Sequence, residues 1–316
     1  MDQKTKTLLN PTAKANHPPF SRPGIRVDKW VKQCFPHLSG RHIDEAIGSG
    51  LVLNSEGKKV VKGNRLDWTE VLEISPLQAH LETLRLGNRG LDIEIVEENE
   101  DIVVIDKPPG VPSHPVSLFD TETVTHWAFH RYPQIADAFL EAQPTITPHR
   151  LDTATQGLLI VAKHPAAYEL WRTRFSEKTI EKTYLAWCWG NPENLFFEIN
   201  TSLAHDSRDR RRMIVVGPDT ISEGPIAEAR SLVRVMEKRS GPPLFLCEVH
   251  CRTGVTHQVR VHLASLGFPL LGDPLYDPSY ETRTFKPSFH QLRAISLRFC
   301  DETFAVKSEE FRATTF

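Results

Sequence analysis

The sequence predicts an α+β protein built on a mixed, largely antiparallel sheet and preceded by a small α/β module. Three observations carry this. The segments "IEIV" and "IVVID" alternate on either side of a charged turn, as the arms of a hairpin do. Later strand patterns are interrupted by helical ones without a regular βαβα alternation. At the front, two short helical patterns precede two short strands. With 316 residues, 40% hydrophobic and 25% charged, the chain can bury a sizeable core and holds about two domains.

Residues 1–24 are polar, carry prolines at 11, 18, 19 and 23, and read as a disordered arm. The module spans 25–75. Its first helix has apolar residues at 27, 30, 31, 34 and 35, and Ser39 looks like the N-cap of a second helix that Gly48 and Gly50 end. "LVLN" and "EVLEI" are its strands. Residues 76–90 read as a linker, and a catalytic domain spans 91–316. There "KPPGVPSHP" is an extended loop, because proline donates nothing to a ladder. Strands are expected at 158–162, 184–189, 229–235 and 244–251, and helices around 123–129, 166–175 and 257–266.

The run Leu158 to Ala162 reads as an interior strand, which puts Asp152 on the loop that feeds it, just after His149 and Arg150. Two readings of Asp152 stand side by side. It either shapes the loop as an Asx-turn or is a carboxylate at the mouth of a sheet, available as nucleophile or base. Cys247, Cys251, His257 and His262 superficially suggest zinc, but the cysteines alternate in phase with Phe245 and Val249 on an apolar strand face. The loop to the histidines is also short for a finger, so no metal is expected. Five cysteines without a CxxC pair argue against structural disulfides. No apolar run of eighteen and no leading apolar segment exist, which points to a cytosolic protein without a membrane span. Residues 1–65 hold twelve Lys and Arg against five Asp and Glu, and the rest 26 against 35. A basic front on an acidic body suits a polyanionic partner, or is merely a solvated basic face.

The stretch 25–75 resembles the alpha-L RNA-binding module, through "RVDKW", "LSGRHIDEAIGSGLV" and the later strand. That resemblance implies RNA-facing roles for Arg26, Lys29, Lys32, Arg41 and His42. Further on, "HRLDTATQGLLIVAK" resembles the signature loop of the RluA-type pseudouridine synthases. "IVVIDKPPGVPSHP", "EKTYLAWCWG" and "CRTGVTHQVRVHLASLGFPLLGDPLYD" match that family's other motifs in order, covering roughly residues 91–300. The resemblance implies an RNA pseudouridine synthase, an isomerase acting without metal or cofactor. Asp152 would be the catalytic carboxylate, Arg260 its cationic partner, Tyr184 the residue beside the uracil ring and Arg150 the wedge for a flipped base. His149, His257 and Gln258 would line the RNA site, and Arg208, Arg210, Arg211 and Arg212, on a flexible loop, would meet phosphates. Without the family, Tyr184 is a core tyrosine, Arg260 a solvent-facing helical arginine, Arg150 a structural one, and 208–212 a solvated charge run.

The chain departs from the family at Thr153, Ala154, Gln156, Val255 and Arg293, none of them a proposed catalytic residue. Val255 stands where the family has an arginine, with Arg293 a candidate for the displaced charge. Ribosomal RNA is the expected substrate ahead of transfer RNA, and a monomer the expected state. The rivals are a non-catalytic RNA-binding or ribosome-assembly protein, and a glycoside hydrolase, which would need a second acid opposite Asp152.

Overall fold

The computed structural model describes residues 24–66, 71–140, 145–217, 220, 222–300, 302–306 and 311. The expected arm, apart from its last residue, lies outside them. The described chain divides into two compact units, one formed by 24–91 with 114–145 and the other by 92–113 with the residues from 146 onward.

The first unit opens with α1 (Val27–Cys34) and α2 (Gly40–Ser49). Ser39 caps α2, its Oγ accepting from the His42 N–H at 3.1 Å, and Gly50 ends the helix in the left-handed region at φ 83°. Strands β1 (Leu53–Asn54) and β2 (Leu72–Glu73) pair antiparallel. The stretch 76–90, expected as a linker, carries helix α3 (Ser75–Arg85), started by Pro76, and Leu77, Leu81 and Leu84 on its inner stripe join Trp30, Val31, Ile43 and Ile47 in one core. Leu118 joins the same core, and α4 (Val124–Arg131) and α5 (Pro133–Leu140) complete the unit. The described chain changes unit at residue 91, but 114–145 belongs with the first unit, so the second is not one continuous segment of sequence. A segment inserted in the second unit's sequence folds back onto the front module, a long-range pairing that local pattern does not announce.

The second unit contains β3 (Glu94–Glu98), β4 (Ile102–Lys107), β5 (Gln156–Ala162), α6 (Pro165–Ser176), β6 (Glu181–Trp189), β7 (Phe196–Asn200), β8 (Leu203–Asp206), β9 (Met213–Val215), β10 (Ser222–Ala227), β11 (Arg230–Ser240), β12 (Pro243–Cys251), α7 (Gln258–Ser265), β13 (Leu292–Phe299) and β14 (Glu302–Ala305). Among the described residues nine strands form one sheet, in the order β3-β4-β5-β13-β6-β12-β11-β7 with β14 paired to β13. Every pairing is antiparallel except β13 with β5. Strands β10, β8 and β9 form a separate small sheet. Cys247 and Cys251 lie buried on the apolar face of β12, packed as small hydrophobes beside Val249 and Phe245. Among the described residues no helix is long and apolar enough to cross a membrane.

The central position of β5 explains its composition. Leu158 to Ala162 are fully buried, because β4 covers one edge, β13 enters at the other, and side chains pack on both faces. Gly157 is required where β5 meets β13. Its φ is +112°, and a Cβ there would lie 2.1 Å from the Ala294 carbonyl oxygen. Gly157→Ala therefore meets both backbone strain and a collision with main chain. A loss of about 3 kcal/mol or more of unfolding free energy is expected, read as a lower urea midpoint; a loss below 1 kcal/mol would refute the role given to this glycine.

Candidate active site

Asp152 is held by the main chain around it. The Thr155 N–H donates to the Asp152 carbonyl at 3.0 Å, the Leu151 N–H donates to Ser113 Oγ at 3.2 Å, and Ser113 Oγ donates back to the Leu151 carbonyl at 3.0 Å. The Thr153 carbonyl accepts from Lys107 Nζ at 3.0 Å and from the Gly110 N–H at 2.8 Å. Lys107, wholly buried at the end of β4, also donates to the Pro108 and Val111 carbonyls at 2.9 and 2.7 Å, and so ties the proline-rich loop to the Asp152 loop. Burial pushes its ammonium down to about 7. The Asp152 carboxylate itself accepts no backbone N–H among the described residues, so the Asx-turn reading fails for it.

Its partner is the guanidinium of Arg260, in the first turn of α7. Arg260 Nη1 donates to Asp152 Oδ2 at 2.9 Å, while Nε and Nη2 grip Asp273 Oδ2 and Oδ1 at 2.8 and 2.9 Å. The arginine is 6% exposed and Asp273 not at all. Burial disfavours the guanidinium charge, but Asp273 and then Asp152 outweigh it and hold its pKa above the ordinary value. Burial likewise pushes the Asp273 carboxyl up, and the hydrogen bonds and charge of Arg260 overcome this, leaving it below 3.8. Asp273 is also the turn-shaping aspartate of the site, accepting from the Leu275 and Tyr276 N–H groups at 3.0 and 3.3 Å. The Tyr276 ring lies under Arg260, 4.9 Å from its guanidinium carbon, and the Tyr276 hydroxyl accepts from the Met213 N–H and hydrogen-bonds His257 Nδ1, each at 2.8 Å. His257 Nε2 lies 3.7 Å from Asp152 Oδ2, and burial lowers its pKa in spite of that carboxylate.

Asp152, His257 and Arg260 border a cavity of about 630 Å³, with Arg150, Tyr184, Lys182, Cys251 and Gly254 also in its wall. Tyr184, on β6, makes no hydrogen bond through its hydroxyl among the described residues; burial first, then the thiol of Cys251 and the charge of Asp152, raise its pKa, so the phenol stays neutral. Arg150 is exposed at the rim and has no ion pair among the described residues. Two residues expected to contact RNA are engaged within the protein. His149 lends its Nε2 to the Ile160 N–H at 3.0 Å and stacks on Phe175 at 4.2 Å; burial, helped by Lys182, pushes it down to about 3, so it presents no cation. Gln258 is buried, and its amide is spent on the Arg230 carbonyl, Ser231 Oγ and the Val255 N–H at 3.0, 3.1 and 3.2 Å, which shapes the turn before α7.

The basic front is more neutralised than its composition implies. Arg26 pairs with Asp28 and Arg41 with Glu45, each at 2.9 Å, and Lys32 donates to the Pro36 and Leu38 carbonyls at 2.8 and 2.6 Å. Lys29 carries no such partner among the described residues. The 208–212 segment is no loose loop but the turn between β8 and β9. Asp206 and Asp209 accept from the Arg208 and Arg211 N–H groups at 2.9 and 3.0 Å, and Arg212 packs 5.3 Å from the Tyr276 ring, leaving Arg208, Arg210 and Arg211 exposed.

Two departures prove to be partners. Arg293 on β13 donates to Gln156 Oε1 at 2.9 Å and pairs with Asp106, so its charge is absorbed within the sheet. Val255, which stands where the family has an arginine, packs with Leu203, Met213, Val261 and Tyr276.

Comparison with known proteins gives the family. Residues 101–265 match the family described as RNA pseudouridylate synthase. The ribosomal large subunit pseudouridine synthase D of Zymomonas mobilis is 33% identical over 261 residues, 81% of this chain and 78% of that protein. An uncharacterized RNA pseudouridine synthase of Aquifex aeolicus is 31% identical, covering 79% and 76%. The structure of the human RNA pseudouridylate synthase domain containing 1 superposes with a TM-score of 0.55 at 26% identity, covering 68% of this chain and 82% of that one. The chain belongs to the RNA pseudouridine synthase family, of RluA type. It is an RNA pseudouridine synthase, hence an isomerase, and neither the non-catalytic nor the glycosidase reading stands.

Sequence reasoning missed Asp273, Lys107 and Tyr276. Asp273 had a signal, an acid following an apolar run in "FPLLGD", where only a buried partner would keep it. Asp273→Asn removes one carboxylate from a buried cation. A loss of about 3–5 kcal/mol in stability and a rate lower by about 10²-fold through misplacement of Arg260 are expected. Because the folded carboxyl lies below 3.8, the wild-type contribution is present above about pH 4 and disappears as pH falls through the folded value; acid unfolding of the variant should lack that component. Equal midpoints for the two proteins in urea at pH 7 would rule this out.

Proposed function

We infer that the protein converts selected uridines of a structured RNA to pseudouridine with Asp152 as the catalytic carboxylate, and that large-subunit ribosomal RNA is its substrate. The observation that carries the catalytic assignment is the Asp152–Arg260 pair, 2.9 Å long, facing a cavity that Tyr184 also lines. The reaction breaks the bond from uracil N1 to ribose C1′ and leaves its electron pair on the base. Rotation of the ring then lets C5 bond to C1′, C5 loses its proton and N1 gains one, so nothing is consumed. A carboxylate suffices for this, by attacking the sugar or ring or by taking the ribose C2′ proton. Arg260 compensates its charge where water is scarce, and Tyr184 offers a ring face and a neutral hydroxyl to the base.

The target base must leave its stack, at a cost of about a few kcal/mol, and Arg150 is placed at the rim to fill the gap. Support for a ribosomal substrate comes from the Zymomonas relative, named for the large ribosomal subunit, and from the module that resembles alpha-L. Lys29, Arg208 and Arg210 are the cations we assign to RNA phosphates, in a cytosolic enzyme.

On an unmodified large-subunit ribosomal RNA transcript, Asp152→Asn should form no pseudouridine by mass spectrometry while RNA affinity stays within threefold; turnover within tenfold of the wild type would overturn the assignment. Lys29→Ala and Arg208→Ala should each flatten the dependence of log affinity on log salt by about 0.7–0.9. An unchanged slope removes that residue from the RNA surface.

A further inference from the structure

Among the described residues two lysines are buried in the catalytic unit, and they are used differently. Lys107 gives its three donors to three carbonyls. Lys182, on the central strand β6, is only 6% exposed, yet its ammonium makes no hydrogen bond or ion pair among the described residues. An unpartnered buried ammonium is expensive, and folding tolerates it only where something else requires it. The nearest acidic group acting on it is the Cys251 thiol across the β6–β12 ladder. Burial raises that thiol's pKa, so it supplies no counter-charge. Burial likewise pushes the Lys182 ammonium down to about 8, leaving it mainly charged at neutral pH.

Its position points to a ligand. Lys182 and Tyr184 are alternate residues of one strand, so both side chains face the cavity, roughly 7 Å apart along β6. The charge of Asp152 registers on Tyr184, and the Cys251 thiol acts on both Tyr184 and Lys182. Asp152, Tyr184 and Lys182 thus line one cavity, with Lys182 one strand repeat from Tyr184. Gly254 leaves the room: a Cβ there would lie 2.9 Å from Lys182 Nζ. The other cations of the cavity wall are accounted for. Arg260 is divided between two carboxylates, Arg172 pairs with Glu169, Lys178 lies 3.8 Å from Glu228, and Arg150 is exposed.

We propose that Lys182 is a catalytic and specificity residue that donates to the C4 carbonyl oxygen of the flipped uracil, selecting uracil over cytosine and holding the charge left on the base when its bond to the sugar breaks. This rests on the function proposed above. With the sugar at Asp152 and the ring beside Tyr184, the ring's far edge falls at Lys182. In uracil that edge carries an oxygen acceptor, in cytosine an amino donor, and an ammonium has three donors and no acceptor. As the N1–C1′ bond breaks, its electron pair spreads over the ring onto the carbonyl oxygens. A donor fixed there in a dry pocket stabilises that charge more than it stabilises the neutral ground state. Bonding of C5 to C1′ then removes that charge, and the C5 proton is lost as N1 gains one, so the ring ends neutral.

The test compares the full-length wild type with Lys182→Met and Lys182→Arg. Pseudouridine formation in the unmodified ribosomal transcript is followed under single turnover, and uridine 5′-monophosphate and cytidine 5′-monophosphate are titrated by calorimetry. Lys182→Met should lower the single-turnover rate at least 100-fold with RNA affinity within threefold. It should also melt no lower than the wild type, since it removes a charge that has no partner. The wild type should prefer the uridine nucleotide at least tenfold, Lys182→Met less than twofold, and Lys182→Arg, which keeps donors, should retain a preference. A Lys182→Met variant that melts lower and keeps the uridine preference would make Lys182 a structural staple and overturn the proposal, as would a rate within threefold of wild type or a wild type with no preference. If the wild type leaves the transcript unmodified, the ribosomal assignment fails instead, and the nucleotide titrations still decide the role of Lys182.

Discussion

A single guanidinium organises the catalytic unit. Arg260 divides its fork between Asp273, which it holds with two parallel hydrogen bonds, and Asp152, which it reaches with one. The bidentate arm fixes the plane of the group, and the Tyr276 ring beneath it removes the remaining freedom to tilt. What is left over, Nη1, is presented to Asp152 in one direction only. A lysine could match the charge but not this division, because a rotating ammonium has no plane to fix. Two carboxylates around one cation leave a formal negative charge, and that excess belongs to the more exposed partner, Asp152, rather than to wholly buried Asp273.

The same grouping explains why the loops around the site are irregular without being loose. Met213, at the start of β9, donates to Tyr276; Tyr276 meets His257; His257 stands beside Asp152. Lys107 closes the opposite side through carbonyls of two loops. Each link joins segments far apart in sequence. Backbone polar groups that could not be met in a strand ladder are met by a buried cation or hydroxyl instead.

Much of this was legible in the sequence where the signal was local or where four motifs stood in order. The α2 cap at Ser39, the β3–β4 hairpin, the interior strand β5, and the candidates Asp152, Arg260 and Tyr184 all lie where the reading put them. What escaped it depended on partners. Helix α3 lay in a stretch that Pro76 and the glycines at 87 and 90 made look like a connector, although Leu77, Leu81 and Leu84 kept a helical stripe. The return of 114–145 to the first unit is a contact of high sequence separation, invisible to periodicity. His149 and Gln258 are bonded within the fold, to the Ile160 N–H and the Arg230 carbonyl, and spacing alone does not announce such partners.

The departures from the family bear on substrate choice through what they touch. Gln156 and Arg293 face each other across the β5–β13 junction and, with Asp106, form one internal cluster. Thr153 contributes its carbonyl, not its side chain, to the Lys107 staple, so the side chain there is free to vary. Val255 belongs to the apolar patch under β8 and β9. Gln156, Arg293 and Val255 are thus answered by neighbours within the catalytic unit, and the Asp152–Arg260–Asp273 geometry stands beside them intact. A set of substitutions that compensate one another inside the fold says little about which uridine is taken. The departures leave untouched two groups that face outward, Arg150 at the rim and Arg208 in the β8–β9 turn, neither of which carries an ion pair among the described residues.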